Sequence, residues 1–408
     1  MTTTPIEWPA WEVADVIRLH GADFLARHGG WLTDSQRQAL RDLVRCRTAA
    51  LGGHLERCGD CGHERIAYNS CRNRHCPKCQ ALTRARWLAR EAGHLLPVEY
   101  YHVVFTLPAE LGELALANPA VLYDALFQAA AGTLRTVAAQ PKYLGAVVGS
   151  VLVLHTWGQN LHHHPHIHAI VTGGGLSCDA SGRIDATPCW RACRPGFLLP
   201  VRVLSRVFRG QYLALVRAAF GQGRLTFPAG LAALQEADAF QYWLAPLSRK
   251  AWVVYAKPPT GGPEPVLKYL ARYTHRVAIS NARLLNLEDG QVTFTYQDYA
   301  AGQRHKTLTL SAEEFLRRWV QHVLPAGFVK TRHYGLLANR HRQERLEVCR
   351  RRLFVAGIAA SLPGEPGGAA GGVAPARERC CPQCGGKRLL RLPLPEHPQH
   401  AGGAGDTS

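Results

Sequence analysis

The chain has 408 residues, 47% of them hydrophobic, so it is long enough for two or three domains with a sizeable core. This composition excludes a disordered chain. Its 48 lysines and arginines against 30 acidic residues give a net charge of +18, which indicates a polyanionic partner such as nucleic acid, unless codon usage alone explains the arginine excess.

The N-terminal sequence argues against export. MTTTPIEWPAWEV lacks the basic and apolar regions of a secretory signal, and no run of about 18 apolar residues occurs. We therefore expect a cytoplasmic protein without a membrane partner. In that reducing compartment the 13 cysteines are expected to bind metal rather than to form disulfides.

Residues 1–50 predict a small helical lead-in, because apolar residues recur at helical spacing on both sides of Gly29 and Gly30. Residues 51–97 predict a zinc-binding domain, since five cysteines lie between Cys58 and Cys79. The basic stretch ALTRARWLAREAGHLL then predicts a helix that ends before Pro97.

Two CxxC pairs carry the zinc prediction. CGDC (58–61) and CPKC (76–79) are separated by 14 residues, near the spacing of a four-cysteine ribbon whose two tight turns aim four sulfurs at one ion. The predicted zinc ligands are Cys58, Cys61, Cys76 and Cys79, with Cys71 as a further candidate. Which four bind stays open, because His63 and His75 lie close by; the alternative is a reduced core of unliganded cysteines. Basic residues around the pairs, including Arg72, Arg74 and Lys78, are predicted to contact a phosphate backbone.

Residues 98–330 predict an α+β domain. Strands are predicted at YYHVVFTL, VVGSVLVLHTW, HIHAIVT, AWVVYA, NARLLNL and QVTFTYQ, which are rich in β-branched and aromatic residues. The Ala/Leu-rich stretch 109–139 predicts a helical crossover, and Ser311 with Glu314 is a candidate capping box that opens another helix.

The remaining residues divide by composition. Residues 331–360 predict a basic C-terminal helix, and the Gly/Pro/Ala-rich residues 361–379 predict a linker. In the tail (380–408), CPQC (381–384) is a candidate second zinc knuckle whose other ligands are Cys380, His397, His400 or none.

The stretch HHHPHIH (162–168) predicts a metal site. Alternate side chains of a strand share a face, so His166 and His168 point the same way while Ile167 enters the core. Such a pair leaves positions open for a substrate oxygen on a divalent ion. The third ligand is Gln159 or, alternatively, His102. The competing interpretation is an exposed tract that chelates metal adventitiously, which we prefer for the first two histidines of the stretch.

The stretch EPVLKYLARYTHR (264–276) supplies two tyrosines four residues apart, Tyr269 and Tyr273, which share one face of a helix. Lys268, Arg272 and Arg276 lie close by and could lower a phenol pKa or hold a phosphate. The alternative is an aromatic pair that packs the core.

These motifs, in the order SCRNRHCPKCQ, LLPVEYYHVVFTLP, HPHIHAIVTGGG and YLARYTHRVAIS, resemble the insertion-sequence ninety-one type of transposase, the two-tyrosine branch of the HUH single-strand endonucleases, over about residues 20–350. The resemblance implies a ferredoxin-like palm, an antiparallel sheet with helices, that carries the histidines on a central strand and the tyrosines on a neighbouring helix. It implies His166 and His168 as ligands of Mg²⁺ or Mn²⁺, Tyr269 and Tyr273 as nucleophiles, and a Zn²⁺ site among the cysteines at 58–79.

The implied function is rolling-circle transposition of a mobile element, with nicking and transfer of single-stranded DNA at transposon ends and target DNA through a 5′-phosphotyrosine intermediate. A metal-dependent hydrolase is a rival, but it needs bridging carboxylates, and only Asp179 and Asp185 lie near the histidines. A non-catalytic zinc-containing nucleic-acid-binding protein is the second rival, and it leaves the histidine pair and the tyrosines unused.

Overall fold

The computed structural model describes residues 9–257, 265–266, 274, 276–298, 302, 304–358 and 380–394. In these residues the helices are α1 (Val13–His28), α2 (Asp34–Arg45), α3 (Gln80–Ala92), α4 (Gly112–Ala117), α5 (Pro119–Ala139), α6 (Val201–Gly221), α7 (Ala237–Arg249), α8 (Ala312–Val320) and α9 (Arg342–Val355). The strands are β1 (Gly53–Cys58), β2 (Glu64–Tyr68), β3 (Tyr100–Thr106), β4 (Ala146–Trp157), β5 (His163–Ser177), β6 (Trp190–Ala192), β7 (Val254–Lys257), β8 (Leu284–Glu288), β9 (Gln291–Asp298), β10 (Arg304–Ser311), β11 (Thr331–Gly335) and β12 (Leu389–Pro393). Short 3₁₀ helices lie at Gly29–Trp31, Ala49–Leu51, Ala109–Leu111, Ala229–Gln235 and Asn281–Arg283.

The central sheet has the strand order β11-β4-β5-β3-β7, with β6 on the far end of β5, and every pair is antiparallel. Helix α5 connects β3 to β4, and α6 and α7 lie between β5 and β7. The order β4-β5-β3-β7 with these connections is the βαββαβ arrangement of ferredoxin-like folds. The predicted α+β class with an antiparallel palm is therefore confirmed.

One face of the central sheet packs against helices. Val103 and Phe105 of β3 and Ile167 of β5 are fully buried in the core with α5 and α6, where the Phe105 and Phe208 rings lie 5.0 Å apart between centroids. Because side chains alternate along a strand, the neighbours of these residues, His102 and His168, point to the opposite face. The helices thus cover one face and leave the histidines on the other.

A second core joins the start of the chain to a small sheet. Strands β8, β9 and β10 form an antiparallel sheet, and buried side chains of α1, α2 and α8 pack with it, among them Phe24, Leu40, Phe294 and Trp319. Helix α1 contacts both α2 and α8. The predicted lead-in is helical, but it shares its core with residues 278–320 and is not an isolated unit.

Helix α8 begins with half of the predicted capping box. The Ser311 hydroxyl accepts a hydrogen bond from the Glu314 amide at 3.2 Å, whereas the Glu314 carboxylate binds Arg317 and Arg318. The two arginines compete with the helix N-terminus for this carboxylate, so the reciprocal bond of a full capping box is replaced by ion pairs.

Two predicted boundaries differ from the structure. Residues Thr331–Gly335, assigned to a C-terminal helix, form the edge strand β11 of the central sheet, so the sheet extends past residue 330. Strand β12 of the tail pairs with β1, and β2 pairs with β1 on its other side, giving a three-stranded ribbon.

Among the described helices, none combines the length and apolar character needed to cross a membrane.

Candidate metal sites and nucleic-acid clefts

Three histidines converge on the helix-free face of the central sheet. His166 and His168 lie on β5, and His155 of β4 stands directly opposite His166. One ring nitrogen from each lies within 4.8 Å of the others, and the His166 and His168 Nε2 atoms are 3.1 Å apart. The structure therefore brings the predicted pair together and adds a third histidine that the sequence analysis missed.

Hydrogen bonds orient these imidazoles. The His166 Nδ1 atom donates to the His164 carbonyl at 2.7 Å, and the His168 Nδ1 atom lies 2.8 Å from His102 Nε2. Because the Nδ1 atoms of His166 and His168 are engaged, the Nε2 atoms of these two rings face the cluster. His102, considered as a third ligand, instead contacts the Nδ1 atom of His168.

Burial keeps the histidines neutral. It lowers the pKa of His166 to about 4 and the pKa of His168 well below its ordinary value, and the Arg276 cation adds to both effects. Burial also lowers the pKa of His102 to about 3. At neutral pH the rings therefore keep the lone pairs that metal binding requires.

The three histidines open into a cleft of about 370 Å³. Its wall includes Gln159, the predicted third ligand, together with Trp157, Arg276, Tyr296 and Asp298. Asp179 and Asp185, which a hydrolase would need, are not among the described residues that line it.

Four predicted site residues, Lys268, Tyr269, Arg272 and Tyr273, lie outside the described residues. Their neighbours in sequence are placed. Val266 is buried among apolar side chains that include Trp87 and Leu336, and Arg276 lines the histidine cleft.

The cysteines form two clusters. One contains Cys46, Cys71, Cys76 and Cys79, and the other contains Cys58, Cys61, Cys381 and Cys384; in each, the sulfurs lie within 4.8 Å of one another. The prediction that the CxxC pairs at 58–61 and 76–79 share one ion is therefore wrong. The first pair lies in the turn after β1, whereas the second precedes α3 and packs beside the end of α2, where Cys46 completes its set.

Both clusters fit zinc. A tetrahedral ion with Zn–S bonds of about 2.3 Å places its sulfurs about 3.8 Å apart. The Cys71 and Cys79 sulfurs are 3.8 Å apart, and the distances from Cys58 to Cys384 and from Cys61 to Cys381 are both 3.6 Å. Four thiolates at these distances are a set that zinc prefers.

A second, basic cleft lies where the zinc-binding segment meets the central sheet. Arg72, Arg74, Arg90, Lys330 and Arg342 line it, and its volume is about 740 Å³. Burial, with repulsion from Arg74 and Arg276, lowers the pKa of Lys330 to about 7. We call this the arginine cleft.

The predicted phosphate contacts differ in their surroundings. Arg72 and Arg74 line the arginine cleft, and Arg74 also donates to the Phe328 carbonyl at 2.5 Å. Lys78 instead forms a part-buried ion pair with Glu12 at 2.8 Å. Its charge is thus matched within the protein, so a DNA contact by Lys78 has less support.

The chain is similar to known transposases over most of its length. A family model described as "Putative transposase" matches residues 149–345, and one described as "Transposase zinc-binding domain" matches residues 16–107. The chain is 52% identical over 354 residues to "Putative transposase y4qJ" of Sinorhizobium fredii (strain NBRC 101917 / NGR234), a match that covers 87% of this chain and 86% of the relative. It is 31% identical over 317 residues to "Transposase for insertion sequence element IS801" of Pseudomonas savastanoi pv. phaseolicola, covering 76% of this chain and 72% of the relative. No solved structure matches the chain.

The two matched regions contain the six N-terminal zinc-type cysteines and the three clustered histidines. Both relatives match over most of their own length, so the similarity extends over most of the chain and is not limited to one motif. The chain therefore belongs to the insertion-sequence ninety-one type family of transposases, DNA-processing enzymes with a zinc-binding domain.

Proposed function

We propose that this transposase nicks and rejoins single-stranded DNA at the histidine cleft, with Tyr269 or Tyr273 as the nucleophile. The observation that carries the proposal is the cluster of three histidines, His155, His166 and His168, in a cleft that Arg276 also lines. A cation site beside an arginine is suited to a phosphodiester, because both positive groups favour charge on its oxygens.

The three imidazoles would hold the divalent ion, because one ring nitrogen of each lies within 4.8 Å of the others. When bound, such an ion stabilises the negative charge that develops on the phosphate oxygens. Of Mg²⁺ and Mn²⁺, the second suits this set better, because Mg²⁺ takes almost only oxygen ligands. Gln159, on the cleft wall, stays a candidate for a further ligand.

Arg276, which lines this cleft, is close to both tyrosines in sequence. Arg276 follows Tyr273 by three residues, and covalent geometry limits that separation to about 11 Å between alpha carbons. In the proposed step, the tyrosine oxygen bonds to phosphorus, the bond to the 3′-oxygen breaks, and the phenol proton ends on the new 3′-hydroxyl. The phosphotyrosine bond retains the energy, so a later attack by a 3′-hydroxyl rejoins the strand and restores the phenol.

The arginine cleft offers a path for the strand. Lys330 lines that cleft, and its ammonium lies 5.0 Å from the ring centre of Trp157, which belongs to the histidine cleft. Cations interleaved with an aromatic ring suit a flexible single strand, whose phosphates and bases contact them in turn. We propose that the strand runs from Arg72 and Arg74 past Lys330 to the histidines.

A denaturing gel tests the nucleophile. The protein is incubated with a labelled single strand from the end of its own element, with Mn²⁺, with Mg²⁺ or with chelator. The wild type is expected to form a covalent adduct with either ion, and more of it with Mn²⁺. The double variant Tyr269→Phe/Tyr273→Phe is expected to form none.

Tyr296→Phe is the matched control, since Tyr296 is a tyrosine that lines the same cleft. Its adduct is expected to persist. An adduct that survives in the double variant would refute the assignment, and its loss in Tyr296→Phe alone would move the nucleophile to the cleft wall.

The same gel, combined with a mobility-shift assay, distinguishes the proposed nuclease from a non-catalytic DNA-binding protein. His166→Ala is expected to abolish cleavage while the protein still retains the strand in a mobility-shift assay, because the arginine cleft is intact. If the wild type binds the strand but never cuts it with either ion, the binding protein is the better description.

A further inference from the structure

We propose that Cys381 and Cys384 of the tail complete a zinc site with Cys58 and Cys61, so that one ion fastens the tail to the N-terminal ribbon. The paired ligands are 326 and 320 residues apart in sequence. The tail cysteines lie beyond both regions that the family models match, which end at residues 107 and 345.

The two halves of this site are copies of one turn. CGDCG (58–62) and CPQCG (381–385) each place a glycine after the second cysteine, and both glycines are left-handed, with φ of 73° at Gly62 and 74° at Gly385. The amide of Gly62 donates to the Cys58 carbonyl at 3.0 Å, and that of Gly385 to the Cys381 carbonyl at 2.9 Å. Glycine adopts this conformation without the steric cost that other residues meet.

The turns face each other with their sulfurs interleaved. Cys58 meets Cys384 and Cys61 meets Cys381, each at 3.6 Å, close to the spacing around a tetrahedral zinc ion. Backbone amides also donate to the sulfurs, from Asp60 to Cys58 and from Gly386 to Cys384, each at 3.4 Å. Such hydrogen bonds orient the sulfurs that would bind the ion.

Apolar burial alone does not explain why the tail stays in place. Cys381 is the only fully buried residue among positions 380–394, and Leu390 of β12 is 56% exposed. Pairing with β1 spans five residues, and Arg388 adds bonds to Asp60 and to the Gly59 carbonyl at 2.9 and 2.7 Å. These exposed polar contacts are worth little each, whereas docking the tail fixes the backbone of residues 380–394 at a cost in conformational entropy. A metal bond supplies the missing stabilisation.

Zinc content tests the site in the full chain. The double variant Cys381→Ser/Cys384→Ser is expected to contain one zinc ion fewer per molecule than the wild type, measured by elemental mass spectrometry on the desalted protein. Cys380→Ser is the matched control, because Cys380 is an exposed neighbour outside the cluster, and its zinc content is expected to equal that of the wild type. Equal zinc in the double variant and the wild type would overturn the proposal.

A second measurement does not depend on zinc counting. A protease site is inserted within residues 361–379 of the full chain and cut after folding. The released tail fragment is expected to co-elute with the body in the wild type and to separate in the double variant. Separation in the wild type, or retention in both, would show that no ion fastens the tail.

Discussion

Individual side chains in the histidine cleft have distinct tasks. His155, His166 and His168 present their nitrogens to one point, while His102 lies behind His168 and contacts its Nδ1 atom at 2.8 Å. A residue that orients a ligand in this way sets the tautomer and direction of the ring rather than the number of bonds to the metal.

His102→Ala is therefore expected to weaken Mn²⁺ binding by about 10–100-fold without abolishing it, because the ring of His168 loses its support. The affinity is measured by electron paramagnetic resonance of free Mn²⁺ during titration of the protein. His162→Ala is the control, since this exposed histidine of the same stretch is not part of the cluster. Unchanged affinity in His102→Ala, or an equal loss in His162→Ala, would contradict the role.

The spacing of residues within one element could be predicted from the sequence, whereas the pairing between elements could not. A strand period of two placed His166 and His168 on one face, as the structure has them. His155 escaped notice because its partner depends on the register of β4 against β5, which shifts between His155 and Trp157. Cys46 escaped notice, and Cys381 and Cys384 were predicted as a separate knuckle without their partners, for a related reason: two nearby CxxC pairs suggested a local site, whereas each pair finds its partners in a distant segment. The order of strands in the palm likewise followed from the family resemblance, not from the pattern of residues.

The pairing of β4 with β5 that aligns these histidines also needs a glycine. A Cβ atom on Gly175 would collide with the carbonyl group of Val147. Gly175→Ala is expected to lower the free energy of unfolding by about 1–3 kcal/mol, because the strands must separate to admit it. The measurement is denaturant unfolding in the presence of zinc.

Gly210→Ala in α6 is the matched control for this substitution. Gly210 is exposed and has no atoms within 4 Å of an added Cβ. In a helix the change to alanine is expected to raise stability by about 0.5–1 kcal/mol. A neutral or stabilising effect of Gly175→Ala would show that the close approach of the two strands is not required.

The zinc-binding segment and the palm contact each other through buried charged and polar side chains. The Glu91 carboxylate of α3 is 5% exposed and contacts His94 and, across the junction, His333 of β11, both at 3.3 Å. Burial would raise the pKa of Glu91, but these hydrogen bonds outweigh it and lower the pKa to about 2. Lys330 lies at the same junction and lines the arginine cleft.

Lys330 makes stability depend on pH. Its pKa falls from 10.5 to about 7 on folding. Below pH 7 the folded state therefore carries the full cost of the buried charge, and above about pH 10.5 it carries none. The free energy of unfolding of the wild type, relative to Lys330→Met, is therefore expected to rise between pH 7 and pH 10. Denaturant unfolding across this range measures it, with the exposed Lys142→Met as control. If the difference in free energy of unfolding between the wild type and Lys330→Met stays constant with pH, Lys330 does not carry a buried charge.

We propose above all that a phenol from residues 269–273 attacks a phosphate held at the three histidines. The most direct test is peptide mass spectrometry of the covalent adduct that forms between the wild-type protein, Mn²⁺ and a single strand from its own element. We expect a nucleotide joined through its 5′-phosphate to Tyr269 or Tyr273. A nucleotide on any other residue, or a 3′-phosphate linkage, would contradict it.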